Sequence, residues 1–199
     1  MTLRVDLLEE SFDLVVVRGD DLIELTRVQA GRVQLVLARD DLREVAQRAV
    51  DAIAPLAEAR GQRVELDLPA EPLPALVDAQ RLERALLNLL SNAHKYGREG
   101  GTIGLSLARR SDDMVVAVTD DGPGIPAGDQ ERIFERYYRS ETEATRHEQG
   151  SGLGLSIARA LVELHGGCLW VESTPSAGAT FWIAIPAGQV AGEQQEGRL

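Results

Sequence analysis

Asn88, Asn92 and Lys95 stand at i, i+4 and i+7 within Asn88-Leu-Leu-Ser-Asn92-Ala-His-Lys95-Tyr96, so a helix would bring all three to one face. Leu82, Ala85, Leu86, Leu89 and Ala93 recur at helical spacing and form an apolar stripe beside them. Two carboxamides and an ammonium at the edge of a buried face are costly unless something polar binds there. A magnesium-bound polyphosphate would suit them, since amide oxygens can ligate a hard cation and a lysine can neutralise phosphate. The same pattern also fits a helix with polar residues at its solvent boundary.

Other stretches could carry chemistry too. Asp120-Asp-Gly122-Pro-Gly124-Ile125 follows a strand-like run. Its glycines permit close approach of backbone to a ligand, and a buried carboxylate there could accept from an exocyclic amine such as that of adenine. A plain turn is the alternative, because Asp-Gly and Pro-Gly are strong turn signals by themselves. Gly150-Ser-Gly152-Leu153-Gly154-Leu155 opens a helix. Such an entry leaves N–H groups free at the positive end of the helix dipole, where phosphate can bind. It is neither a Walker A loop nor a dinucleotide fingerprint; a flexible hinge is the alternative. The charged segment before it, with Arg139, Arg146 and His147, suits a lid over a nucleotide or a solvated loop.

These stretches need elements to hold them. Residues 1–30 read as mostly helical, with a broken apolar face at Leu7, Leu8, Phe12, Val15, Leu22, Ile23 and Leu25 and a stop at Gly31. Residues 33–38 suit a strand. A helix over 42–60 is capped by Asp40 or Asp41 and stopped by Gly61, with Pro55 implying a kink or break. A strand over 64–68, a proline-rich loop and a short strand over 75–77 lead to the helix of 78–97. Strands at 102–109 and 114–119 form a hairpin, and 129–138 make a short helical turn. A helix over 152–165 ends at Gly166-Gly167, and strands at 168–172 and 180–185 close the sheet. Residues 188–199 are polar and aperiodic, which predicts disorder.

The chain has 199 residues, 44% hydrophobic and 27% charged, as an ordinary globular domain does. A net charge of −11 argues against wrapping nucleic acid or anionic membrane, and means an anionic ligand needs local help from cations and backbone N–H groups. The single cysteine, Cys168, excludes a disulfide framework and fits a reducing, cytoplasmic interior; its apolar stretch predicts a small core residue. No apolar run reaches membrane-spanning length, although a longer parent could be membrane-anchored.

In this order and spacing the motifs resemble the ATP-binding catalytic domain of sensor histidine kinases, in the superfamily that includes gyrase, the Hsp90 chaperones and MutL. The resemblance covers residues 22–186. It implies an α+β fold, a two-layer α/β sandwich with a mixed sheet of about five main strands under three helices. It divides the chain into a remnant of the dimerisation helix at 1–31, an ATP-binding domain at 32–187 and a tail at 188–199.

Residue by residue, Asn88 to Tyr96 looks like the N box. Asn92 then matches the magnesium ligand, Asn88 and Lys95 lie near the phosphates, and Tyr96 lines the nucleotide. Asp120, Gly122 and Gly124, with Ile125, resemble the G1 box, Asp120 reading adenine and Asp121 falling on a variable position. Ile133-Phe134-Glu-Arg-Tyr-Tyr138-Arg139 is similar to the F box, with Tyr138 beside the nucleotide and Arg139 reaching the γ-phosphate. Gly150, Gly152, Leu153, Gly154 and Leu155 resemble the G2 box, and Gly178 with Thr180 the last nucleotide-side motif.

In hydrolytic relatives a glutamate one turn before the metal-binding Asn activates water. Asn88 occupies that position and is a poor general base, so the site is expected to hold ATP for transfer. The implied cofactors are ATP and Mg2+, and the implied catalytic residues Asn88, Lys95 and Arg139. Implied partners are a histidine-bearing dimerisation domain or intact kinase, then a response-regulator aspartate, with possible homodimerisation through the first helix. The family's phosphoacceptor histidine is not found among His94, His147 and His165, so the chain alone is not expected to autophosphorylate. Two alternatives stay open: a non-catalytic nucleotide-binding regulator of an intact kinase, and an anti-sigma-type serine kinase.

Overall fold

The computed structural model describes residues 34–138 and 151–187. The expected first helix, Arg139, Arg146, His147, Gly150 and the tail lie outside these residues. The elements run β1 (Ala38–Asp41), α1 (Leu42–Ala59), β2 (Arg63–Asp67), β3 (Pro74–Val77), α2 (Ala79–Tyr96), β4 (Thr102–Arg110), β5 (Asp113–Asp120), a 3-10 turn (Arg132–Phe134), α3 (Gly154–Leu164), β6 (Cys168–Ser173) and β7 (Ala179–Pro186).

Five strands form one sheet in the order β2-β4-β5-β7-β6. β2 lies parallel to β4, and every other neighbouring pair is antiparallel, so the sheet is mixed. The three helices pack on one face of it. Ile103, Leu105, Met114, Val116, Val118, Phe181, Ile183 and Ile185 alternate along the strands toward that face. They meet the apolar stripes of α1, α2 and α3, including Val45, Ile53, Leu82, Leu86, Leu89, Ile157 and Leu161. This is the expected two-layer sandwich.

Several expectations change. The first strand falls at Ala38–Asp41 and not at 33–38; it pairs with β3 as a separate two-stranded ribbon, Ala38 opposite Val77. α1 runs unbroken through Pro55. Pro55 and Asp51 are both exposed, so water can serve the carbonyl that the missing N–H leaves free. Cys168 is exposed, because it begins β6 on the face without helices while Leu169 takes the core side.

Asp41 caps α1. Its carboxylate accepts from the N–H groups of Arg43 (3.0 Å) and Leu73 (3.1 Å) and pairs with the Arg43 guanidinium at 2.7 Å. The Arg43 hydrogen bonds lead in lowering its pKa from the ordinary 3.8 to about 2. A depressed folded-state value means stabilisation that is present above pH 3.8 and lost as pH falls toward 2. Asp41→Asn is expected to cost about 1 kcal/mol at neutral pH, allowing for solvent screening, and almost nothing near pH 2; urea unfolding at both values checks it.

Candidate functional site

α2 runs as the sequence predicts. Asp78 is its N-cap, accepting from the Arg81 N–H at 3.2 Å, and Gly97 is its C-cap. Leu82, Ala85, Leu86, Leu89, Leu90 and Ala93 are buried, and Asn88, Asn92 and Lys95 are half-buried along the edge of that face. The Asn88 Nδ2 is fully buried and has no hydrogen-bond partner among the described residues. A buried, unsatisfied donor costs roughly 1–3 kcal/mol, so an acceptor placed beside this amide would relieve that cost. The side chains of Asn92 and Lys95 likewise engage no partner among the described residues.

Beside Asn88 stands the start of α3: a Cβ at Gly154 would lie 3.5 Å from the Asn88 Oδ1. Among the described residues no side chain caps α3, which leaves its first N–H groups open to a ligand at the positive end of the helix. Leu153 is buried in the core and Leu155 packs against it, which fixes where this end sits. Gly152 has φ +69°, and a Cβ on it would come within 2.9 Å of the Tyr137 Cα. The Tyr137 N–H donates to the Gly152 carbonyl at 3.0 Å. The chain on either side of residues 139–150 is therefore tied together, Tyr137 to Gly152.

Asp120 ends β5 opposite Ala179 of β7. Its carboxylate accepts from the N–H groups of Gly122 (2.9 Å) and Ala179. Burial pushes its pKa above the ordinary carboxylate range; these two N–H groups pull the other way, and Asp121 adds to the rise. Gly122 lies directly under the Tyr96 carbonyl, joining this loop to the end of α2. The loop is also pinned to the β6–β7 hairpin. The Ile125 N–H donates to the Ser173 Oγ (2.8 Å), which donates to the Gly178 carbonyl (2.6 Å). Gln130 Nε2 reaches the carbonyls of Ile125 (3.1 Å) and Ser173 (2.8 Å).

The structure thus brings Asn88, Asn92, Lys95, Tyr96, Asp120, Gly122, Gly152, Leu153, Gly154 and Leu155 to one end of the sandwich, with Gly124 and Ile125 in its loop. Tyr138 is already engaged: its hydroxyl donates to Asp129 Oδ1 at 2.8 Å, and Arg132 stacks on its ring at 4.4 Å. The Asp129 hydrogen bond is the main cause that raises its pKa. Thr180 is not brought in. Strand alternation puts it opposite Thr119, with Trp182, on the face without helices, whereas Ala179 sits opposite Asp120.

Three supports went unread in the sequence. Asp121 accepts from the N–H groups of Arg98 (3.2 Å) and Thr102 (2.9 Å), bracing the turn between α2 and β4. Ser173 and Gln130 hold the loop as described. An Asp directly after the site carboxylate and a Ser ending a strand are commonplace, and only tertiary pairing distinguishes them.

A family model described as "Histidine kinase-, DNA gyrase B-, and HSP90-like ATPase" matches residues 77–189. The chain is 37% identical over 183 residues to the alginate biosynthesis sensor protein KinB of Pseudomonas aeruginosa, covering 92% of this chain and 30% of that protein. It is 37% identical over 194 residues to the adaptive-response sensory kinase SasA of Prochlorococcus marinus (strain MIT 9303), covering 93% and 52%. The chain therefore spans about half or less of the length of these curated relatives. Among solved structures, full-length ShkA in complex with AMPPNP superposes with a TM-score of 0.82 at 28% identity, covering 92% of this chain and 38% of that one. The mycobacterial sensor histidine kinase MprB gives 0.66 at 32%, covering 76% and 97%. Fold, site geometry and these likenesses agree, and the chain belongs to the histidine kinase-, DNA gyrase B- and HSP90-like ATPase family, as a histidine kinase catalytic domain.

Proposed function

We propose that this chain binds magnesium-ATP between α2 and the start of α3 and donates the γ-phosphate to a histidine supplied by another chain or by sequence outside this one, for onward transfer to a response-regulator aspartate. The observation that carries this reading is the buried Asn88 amide donor, unpartnered beside the open N–H groups of α3. Those donors fit phosphate oxygens and nothing in the described protein satisfies them.

Asp120 accepts from the adenine amine, Gly122, Gly124, Ile125 and Tyr96 wall the base, and Gly152, Leu153, Gly154 and Leu155 present backbone to the phosphates. Lys95 and, outside the described residues, Arg139 neutralise phosphate charge, with Gly150 at the far end of the same segment. A magnesium ion fits at the Asn92 amide oxygen. Among the described residues no group of three or more His, Cys, Asp or Glu could hold a metal, so its other ligands would come from triphosphate and water. The ion supplies charge neutralisation at the transferring phosphoryl group. Asn88 offers water no general base, so the bound nucleotide waits for an acceptor.

The relatives' printed names support the kinase reading: KinB is a sensor protein, SasA a sensory kinase, and ShkA was solved with AMPPNP. Calorimetric titration is expected to show magnesium-dependent ATP binding, and Asn92→Ala to weaken the magnesium-dependent part at least tenfold, roughly the loss of one metal ligand. A separately supplied dimerisation domain should acquire acid-labile label on histidine from labelled ATP. Binding without transfer would reduce the chain to a nucleotide-binding regulator.

A further inference from the structure

α2 ends at Gly97 in extended conformation, φ −64° and ψ 160°, without the left-handed cap that usually satisfies the last carbonyls. Two side chains from the α1–β2 connection serve them instead. Arg60 Nη1 donates to the carbonyls of His94 (2.8 Å) and Lys95 (3.1 Å). Gln62 Nε2 donates to the carbonyls of His94 (3.0 Å) and Arg98 (3.1 Å). Gln62 Oε1 lies 2.6 Å from His94 Nδ1, so that nitrogen carries the proton and donates. Gln62 is 7% exposed, and its amide packs against Gly97, where a Cβ would meet its Nε2 at 3.3 Å.

The residues fixed this way are those that enter the site. Lys95 is held by its own carbonyl, and Tyr96 follows it, with its carbonyl against Gly122. A helix end frays when its carbonyls are unserved, and a charge-assisted hydrogen bond is the strongest side-chain remedy. We infer that Arg60 and Gln62, more than thirty residues before the carbonyls they hold, are positioning residues for nucleotide binding, acting through the last turn of α2 on Lys95 and Tyr96. This rests on the proposed nucleotide site. Neither side chain is among those proposed to meet the nucleotide, and among the described residues both bond only to the α2 end and its turn, so the effect has to pass through the helix end.

The test is a double-mutant cycle on magnesium-ATP affinity by calorimetry, combined with amide hydrogen exchange on the nucleotide-free chain. Arg60→Met is expected to lower affinity about fivefold, the scale of coupling within one hydrogen-bond network. In a Lys95→Met background the same substitution should cost less than about twofold, and Arg60→Lys should recover part of the loss. Exchange at residues 95–97 should accelerate in Arg60→Met while α1 and α3 keep their protection. Unchanged affinity, or an equal loss in both backgrounds, overturns the inference. If Arg60→Met does not fold, the shorter and uncharged Arg60→Gln carries the same cycle, and wild-type affinity and exchange in it overturn the inference. If the wild-type chain binds no nucleotide, the proposed function falls, and the exchange comparison alone decides whether the clamp exists.

Discussion

Asp120→Asn is expected to lower ATP affinity roughly 30-fold, the scale of one hydrogen bond to a charged group, while leaving the nucleotide-free fold as stable as before or more stable. The carboxamide oxygen can still accept from the Gly122 N–H, so the loop keeps that anchor. In the proposed site the amide nitrogen, however, would set a donor against the donor of the adenine amine. The stability sign follows from the raised pKa. Burial favours the protonated acid in the folded state, so ionisation there is a cost that grows as pH rises through the folded value. A neutral side chain removes that cost. Wild type should therefore gain stability relative to Asp120→Asn as pH falls, measured by thermal unfolding of nucleotide-free protein at several pH values. ATP affinity like that of wild type would remove Asp120 from the adenine site.

Gly178→Ala is expected to destabilise the fold by about 3 kcal/mol, combining left-handed strain with backbone overlap. Gly178 has φ +82°, and an added Cβ would press on the Asp120 carbonyl, with the Asp121 Cα at 3.1 Å. No flexible side chain is available to give way. Gly166→Ala is the internal comparison. Gly166 also has positive φ, +74°, yet a Cβ there meets nothing within 4 Å. Its cost should be about 1 kcal/mol, from backbone preference alone. Urea unfolding of the two variants separates strain from collision. Equal losses would mean that the β5–β7 end can relax, and that Asp120 is held less firmly than its contacts indicate.

α2 was the most legible element, because cap, apolar stripe and stop all agree within it. Asp78, the leucines and Gly97 each signal the same helix from local chemistry. The five main strands were legible from alternation and turn residues to within one or two positions. The β1–β3 ribbon was less so: four-residue strands have little periodicity, and their partners are joined only after α1 and β2 intervene. Thr180 shows a different limit. Its motif suggested the nucleotide side, but pairing register decides the face, and a one-residue offset reverses it. Cys168 failed for the same reason, its apolar neighbourhood concealing which way it points. Arg60 and Gln62 carry no local signal at all, since their acceptors are carbonyls that any residue could provide.

The closure between Tyr137 and Gly152 bears on how relatives of this chain can diverge. An N–H to carbonyl link joins Tyr137 to Gly152, the residues that flank 139–150, so the chain leaves and re-enters the fold at one fixed socket. Changing the length of what lies between leaves the register of β5 against β7 as it is. Doubling such an insert adds only about 0.6 kcal/mol of closure entropy. Evolution or an engineer can thus exchange the insert as a unit without redesigning the scaffold.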